Sequence, residues 1–171
     1  MEIVVSDTSV LLNFLKIQRL DLLENCSHSF LITEHVEVEI ADYYPQQCRS
    51  LQKAIEQEIL QKITLIHPIE MDLFSELSQE KFLGRGESSA IAVAIHRNLS
   101  LAIDDVKAIK SARSMAPALP ILRTQDLIVA MLQQEILTLP EADAILSTWA
   151  DKHRFKLKIR SFQELLQGVT E

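Results

Sequence analysis

Cysteine is nearly missing from this 171-residue chain, glycine occurs only three times, and positive charge is too sparse to set the overall sign. The two cysteines, Cys26 and Cys48, form no CxxC or Cys/His ligand spacing, which argues against a disulfide framework and a structural zinc site. No apolar run approaches the roughly 18 residues a membrane helix needs. Met1-Glu2-Ile3-Val4-Val5 has neither the basic start nor the length of a signal peptide, so a cytoplasmic protein away from the membrane is expected. A formal net charge of −7 argues against coating nucleic acid by bulk attraction, which needs many Lys or Arg side chains on phosphates. It does not exclude an enzyme acting on nucleic acid, because a pocket of carboxylates contributes negative charge that bound cations reverse locally.

What is present is an ordinary globular balance, 47% apolar and 24% charged, in the length of one domain. Ile3-Val4-Val5 reads as a strand, followed by Asp7-Thr8-Ser9 as capping groups for an amphipathic helix over 10–23. Phe30-Leu31-Ile32 repeats the pattern, with Thr33 as the N-cap of a helix that carries Val36 and Ile40 on one face. A helix is expected over 51–60, a strand over 63–66 and a helix over 72–82. The loop Gly84-Arg85-Gly86 opens an alanine-rich helix over 87–97, apolar nearly all round and suited to close packing on a sheet. A strand over 99–103, a helix over 106–116, a short strand at Ile121-Leu122 and a helix through Leu132 capped by Thr124 or Asp126 follow. Capping-box spacing at Thr138-Glu141 and Ser161-Glu164 predicts two more short helices. Strands alternating with helices imply a three-layer α/β/α sandwich around a parallel sheet, because parallel strands need crossover connections.

In such sheets ligands bind beyond the carboxyl ends of the strands. Asp7 follows the first strand directly and the pair Asp104-Asp105 follows a later one, so both should leave the same edge. Glu87 begins a helix after the glycine loop, and Glu39 lies on the helix after the second strand. Converging carboxylates repel one another unless something positive holds them. Mg²⁺ or Mn²⁺, which prefer oxygen ligands, would suit such a pocket and phosphodiester hydrolysis. Each acid also has a plainer reading. Asp7 or Thr8 could cap a helix, Glu39 could be one exposed acid beside Glu34 and Glu37, Glu87 could complement a helix dipole, and Asp104-Asp105 could form a capped turn. Their joint placement carries the argument. The glycines around Arg85 suit a tight turn, a close approach to the backbone, or phosphate bound at a helix start. Lys152, Arg154, Lys156, Lys158 and Arg160 fall in nine residues without an acid, the one basic concentration; its plain reading is a solvated surface strand or loop.

Four segments, in order and spacing, resemble the PIN-domain superfamily and in particular small prokaryotic PIN proteins related to the VapC toxins. They are Val4-Val5-Ser6-Asp7-Thr8-Ser9-Val10-Leu11, Val36-Glu37-Val38-Glu39-Ile40, Gly84-Arg85-Gly86-Glu87-Ser88-Ser89-Ala90-Ile91 and Leu101-Ala102-Ile103-Asp104-Asp105-Val106-Lys107-Ala108. The resemblance spans about residues 1–135, read as a PIN-like nuclease domain, with 136–171 as a helical extension packed on the same domain. It implies a Mg²⁺- or Mn²⁺-dependent ribonuclease, often the toxin of a toxin–antitoxin pair with a cognate antitoxin protein as partner, and often a homodimer. The family's acids fall on Asp7, Glu39, Glu87 and the aspartate pair, with Asp105 favoured as ligand and Asp104 as a supporting or alternative one. Thr8 and Ser9 are additional candidates. Arg123-Thr124-Gln125-Asp126 departs from the small or glycine-bearing segment of many relatives, and Asp126 is either a further ligand or, the favoured reading, a helix cap. Lys107, Lys110, Arg113, Lys156 and Lys158 are candidate contacts to RNA. A competing reading is a catalytically weak PIN-like module that binds RNA or a partner protein. An acid-dependent phosphatase would instead want an Asp-x-Asp start, where this chain has Asp7-Thr8-Ser9.

Overall fold

Val4 and Val5 point to opposite sides of the first strand, and each enters a different apolar cluster. That alternation is the period-two geometry of a strand buried on both faces. In the computed structural model, which describes residues 2–168, it recurs at Phe30, Leu31 and Ile32, and at Leu101 and Ala102. The elements run β1 (Glu2–Ser6), α1 (Thr8–Lys16), α2 (Asp21–Asn25), β2 (His28–Thr33), α3 (Glu34–Tyr43), α4 (Pro45–Glu56), β3 (Leu60–Ile63) and α5 (Pro68–Leu77). There follow α6 (Arg85–Arg97), β4 (Ser100–Ala102), α7 (Val106–Met115), β5 (Ile121–Leu122), α8 (Thr124–Gln133), α9 (Leu139–Lys152) and α10 (Gln163–Gly168).

The strands form one five-stranded sheet, all parallel, in the order β3-β2-β1-β4-β5. The chain winds outward one way through β2 and β3, then returns to β1 and continues the other way. The switch point therefore lies between β1 and β4. On one face α5, α6 and α7 cover Val5, Leu31, Leu101 and Ile103; Ala90, Ile91, Ala92, Val93 and Ala94 of α6 have no exposed surface. On the other, α1, α2, α8 and α9 cover Val4, Phe30, Ile32 and Ala102, with Phe14, Trp149 and Phe162 among the fully buried side chains. The expected three-layer α/β/α architecture is present.

Several element bounds differ from expectation. The predicted helix over 10–23 is two helices, because Gln18 turns left-handed (φ 57) and the amides of Gln18 and Arg19 donate to the carbonyls of Leu15 and Phe14. That is a Schellman stop. The helix expected over 51–60 starts earlier, at Pro45 in the first turn, and ends in the same kind of stop at Glu58 (φ 60). Leu60 is thus a strand residue, and the strand placed over 63–66 lies at Leu60–Ile63. The helix expected over 72–82 is Pro68–Leu77, opened by His67, whose Nδ1 accepts from the Ile69 amide. Thr33 does cap α3, accepting from the Val36 amide at 3.2 Å. The Thr138 box opens a 14-residue helix rather than a short one. At the last helix Ser161 takes the Gln163 amide while Glu164 reaches the Arg160 amide. The final segment assigned to the extension, 169–171, lies outside the described residues.

Candidate active site at the carboxyl edge of the sheet

Asp7 leaves β1 at the switch point. Its amide donates to the carbonyl of Ala102 at 3.0 Å, continuing the β1–β4 ladder, so Asp7 and Asp104 emerge side by side. As N-cap of α1 it accepts from the Val10 amide (2.9 Å, Oδ1) and from Ser9 Oγ (2.6 Å, Oδ2). The expected capping role and the placement among acids coexist. Asp7 has no exposed surface, and burial pushes its carboxyl up to about 8. The bonds from Ser9 and Val10 pull against that rise, and the charges of Asp104 and Glu87 add to it.

Glu87 stands in the first turn of α6, where Oε2 accepts from the Gly84 amide at 2.9 Å. Burial raises its pKa, opposed by that amide, and the charges of Asp105 and Glu39 push the same way as burial. Thr33 and Ser89 share a 2.6 Å hydroxyl–hydroxyl bond that ties α6 to the end of β2. Glu39, on α3, accepts from the Gly86 amide at 2.8 Å through Oε2. A Cβ on Gly86 would collide with Thr8 Oγ1 and come within 2.5 Å of Glu39 Oε2. The glycine loop was expected to serve either a tight turn or a close approach. Among the described residues no glycine has positive φ, so the approach, not the turn, requires Gly86.

The aspartate pair divides its roles. Asp104 is largely buried, with Oδ1 accepting from the Thr124 amide (2.9 Å) and Oδ2 from Thr124 Oγ1 (2.6 Å) and Asn13 Nδ2 (3.1 Å). Burial raises its pKa against the Thr124 bonds, and Arg123, whose Nε lies 3.9 Å away, lowers it. Asp105 is exposed and caps α7, with Oδ1 accepting from the amides of Lys107 and Ala108 at 2.8 Å each. One oxygen each of Glu39, Glu87 and Asp105 has no protein donor among the described residues, whereas both oxygens of Asp7 and Asp104 do.

Not every predicted candidate joins this group. Thr124 does not cap α8; it is the first helical residue, and its side chain serves Asp104. Asp126 closes a capping box on the Arg123 amide at 2.8 Å. Lys107 sits beside Asp105 with Nζ 5.9 Å from the Phe82 ring centre, while Lys110 and Arg113 continue along the exposed side of α7. Lys156 and Lys158 belong to the opposite face of the sheet. Asn13 and Thr124 went unpredicted as site residues. Asn13 is 7% exposed in an otherwise apolar stretch of α1, and a helix-disfavouring amide on a buried face is the signal that marks it.

Among the described residues no group of three or more His, Cys, Asp or Glu side chains is placed so that it could hold a metal ion. The chemistry of the donors, not their spacing, is what fits a hard cation. Every donor is a hard oxygen, Mg²⁺ takes one or two carboxylates and keeps its waters, and Thr8 Oγ1 is buried at the pocket without a hydrogen-bond partner. A buried Asp7 whose ionised form is disfavoured, with acids around it, is the environment a divalent cation stabilises.

These features define a doubly wound α/β protein whose ligand edge is lined with carboxylates. The chain belongs to the PIN-domain family, whose model matches residues 3–171 and so continues past the span of about 1–135 over which the motifs carry the resemblance. PIN domains are generally nucleases and typically use divalent metals. No curated protein matches the chain. Among solved structures it is similar to a PilT N-terminus domain protein from the archaeon Sulfolobus solfataricus P2, with a TM-score of 0.53 and 18% identity over 77% of this chain and 94% of that one. It is also similar to a chain of VapBC2 from Rickettsia felis bound to a DNA fragment of its promoter, with a TM-score of 0.48 and 18% identity over 71% of this chain and 98% of that one. No helix among the described residues is long and apolar enough to cross a membrane.

Proposed function

We propose that the chain is an endoribonuclease dependent on Mg²⁺ or Mn²⁺, hydrolysing RNA phosphodiester bonds in the acidic pocket. The observation that carries this reading is Asp7, fully buried at the switch point and repelled by Asp104 and Glu87. Burying a carboxylate among others has no structural benefit that a neutral cap would not give, and it weakens the metal-free fold. Asp7, Glu39, Glu87 and Asp105 are the proposed ligands. Asp104, whose oxygens like those of Asp7 already take protein donors, would be a supporting or alternative ligand that orients the edge and tunes the charge. A bound divalent ion would polarise the phosphoryl oxygen, lower the pKa of an attacking water and stabilise the leaving alkoxide. The protein's own part is to hold the acids in place with fixed donors: Ser9 and Val10 on Asp7, Gly84 on Glu87, Gly86 on Glu39.

The test is cleavage of a mixed RNA pool with and without Mn²⁺, comparing wild type with Asp7→Asn. Metal-dependent cleavage lost in the variant supports the reading, and undiminished cleavage by a folded Asp7→Asn protein defeats it. RNA binding without cleavage by the wild type would favour the non-catalytic module. The motif resemblance to VapC toxins further supports a toxin role with an antitoxin partner and a homodimer. A short adjacent reading frame encoding a DNA-binding head with a flexible tail, and the mass of the purified protein by light scattering, test those two points.

A further inference from the structure

The basic run at 152–160 has a definite form. From the last residue of α9 onward the chain forms a strap in which Lys152, Arg154, Lys156, Lys158 and Arg160 are exposed, while His153, Phe155, Leu157 and Ile159 between them are half-buried. Phe155, Leu157 and Ile159 pack on the core, and the Phe155 ring meets Trp149 edge-on at 5.3 Å. The cations are therefore held outward by an anchored backbone.

The start of this strap faces α1 and the junction of α3 with α4 across a cleft of about 560 Å³. Lys16, Tyr43, Tyr44, Lys152, His153 and Arg154 line it, and none of its described lining residues is acidic. Lys16, Lys152 and Arg154 enter no ion pair among the described residues, and Lys16 Nζ stands 5.3 Å over the Tyr44 ring. Tyr43 is 74% exposed, an unusual position for an aromatic ring. It also borders the neighbouring cleft formed with Gly84 and Arg85, where Arg85 is the one Lys or Arg among the three acids Glu34, Glu39 and Asp42. Glu39 and Tyr43 are four residues apart on α3, hence on one side of the helix and one turn from each other. Glu39 thus links the acidic pocket to this middle cleft, and Tyr43 links the middle cleft to the basic one.

We propose that the path through these clefts is a binding track for single-stranded RNA, with the strand running from the acidic pocket over Tyr43 into the cleft between Lys16 and Arg154. The proposal rests on the ribonuclease reading for the identity of the strand. Aromatic faces for bases interleaved with cations for phosphates are the composition of single-strand tracks. It also reconciles a net charge of −7 with an RNA substrate, since positive charge is needed only along the path.

The experiment is fluorescence anisotropy of a labelled 12-nucleotide single-stranded RNA against the full chain, in EDTA to prevent hydrolysis, over a series of salt concentrations. Thermal melts accompany each variant, all of which alter exposed or half-exposed side chains. Lys16→Glu/Arg154→Glu is expected to weaken binding at least tenfold and to lower the salt slope by about 0.7 for each phosphate no longer neutralised. Tyr43→Ala is expected to weaken it roughly tenfold with little change of slope. Lys53→Glu, exposed on α4 outside this cleft, should have the smaller effect, and an equal loss there overturns the proposal. Wild-type affinity in the cleft variants overturns the proposal. So does equal binding of a polyglutamate peptide that Tyr43→Ala leaves untouched, which would mark a docking surface for an acidic protein segment. The two readings fail separately: a wild type that binds RNA through the cleft yet cleaves nothing with Mn²⁺ leaves the track standing and removes the nuclease.

Discussion

Asp7 and Glu70 are both buried carboxylates, and they impose opposite pH dependence on the fold. Glu70 is held by Arg97 at 2.6 Å and 3.1 Å and by His96 at 3.0 Å, and chiefly the Arg97 bonds lower its pKa. Its contribution is present above the ordinary glutamate pKa and is lost as pH falls through the depressed value. Asp7, raised to about 8, binds its proton more tightly folded than unfolded, so its contribution is full below about pH 4 and declines as pH rises toward 8. Glu87 and Asp104 are raised as well and act in the same direction. Metal-free stability should therefore peak on the acidic side of neutrality, and denaturant melts across pH 4–8 in EDTA would show it. At pH 7 the cost at Asp7 is on the order of 4 kcal/mol, so Asp7→Asn should melt higher than wild type without metal. Mn²⁺ should raise the wild-type midpoint but not that of the variant. A metal-free optimum above pH 7 would contradict this account. Gly86→Ala follows from packing alone: the added methyl must displace Thr8 or Glu39, costing about 1–3 kcal/mol and weakening Mn²⁺ binding in calorimetry. Residues at strand ends were legible in the sequence, because the end of a strand fixes where the next side chain emerges. Asn13 carries a local mark, an amide in an apolar helix stretch, and Thr124 carries none, but neither announces its partner, since Asp104 lies 91 and 20 residues away.

The helix ends show what a shortage of glycine does to elements. Gln18, Glu58, Asn98 and Glu135 all adopt positive φ just past a helix, and each following amide bonds back to a carbonyl five residues earlier. Glycine takes this conformation without a Cβ penalty, and asparagine tolerates it. Glutamine and glutamate do not, which is why the breaks at 18 and 58 left no mark in the sequence and shifted the expected helices and the third strand. Periodicity, by contrast, located α6 and α7 well, because their alanine faces are buried along most of their length. Glu58→Gly and Glu135→Gly should each stabilise the protein by about 0.5–1 kcal/mol, the relief of a left-handed side chain less the extra entropy of an unfolded glycine. For a chain of this size that is a rise of roughly 1–4 °C in Tm. Asn98→Gly should change little. A fall in Tm for the two glutamate variants would mean that their side chains have a supporting role at these stops.

At the scale of the whole molecule, the segment beyond 135 is joined to the acidic edge through one side chain. Trp149, the only tryptophan, is fully buried in the cluster beneath β1 and β2. Its Nε1 donates to the carbonyl of Asn13 at 2.8 Å, and its ring meets Phe14 edge-on at 6.1 Å. Asn13 in turn donates to Asp104 and Thr124. A chain of direct bonds thus runs from α9 through α1 to the carboxylate at the end of β4. If 136–171 were a separately folding appendage, Trp149 fluorescence would report its melting apart from the sheet. Packed as it is, the emission of Trp149 and far-UV circular dichroism should follow one coincident denaturant transition, the mark of a single cooperative unit. Trp149→Ala should cost about 3–5 kcal/mol, because it empties a large core site and leaves the Asn13 carbonyl without its donor. Trp149→Phe should cost less, but it too removes the indole donor. Were the support of Asp104 through Asn13 unimportant, Trp149→Phe would alter stability alone. The bonded chain instead predicts weaker Mn²⁺ binding in a folded Trp149→Phe protein, measured by calorimetry well below its midpoint.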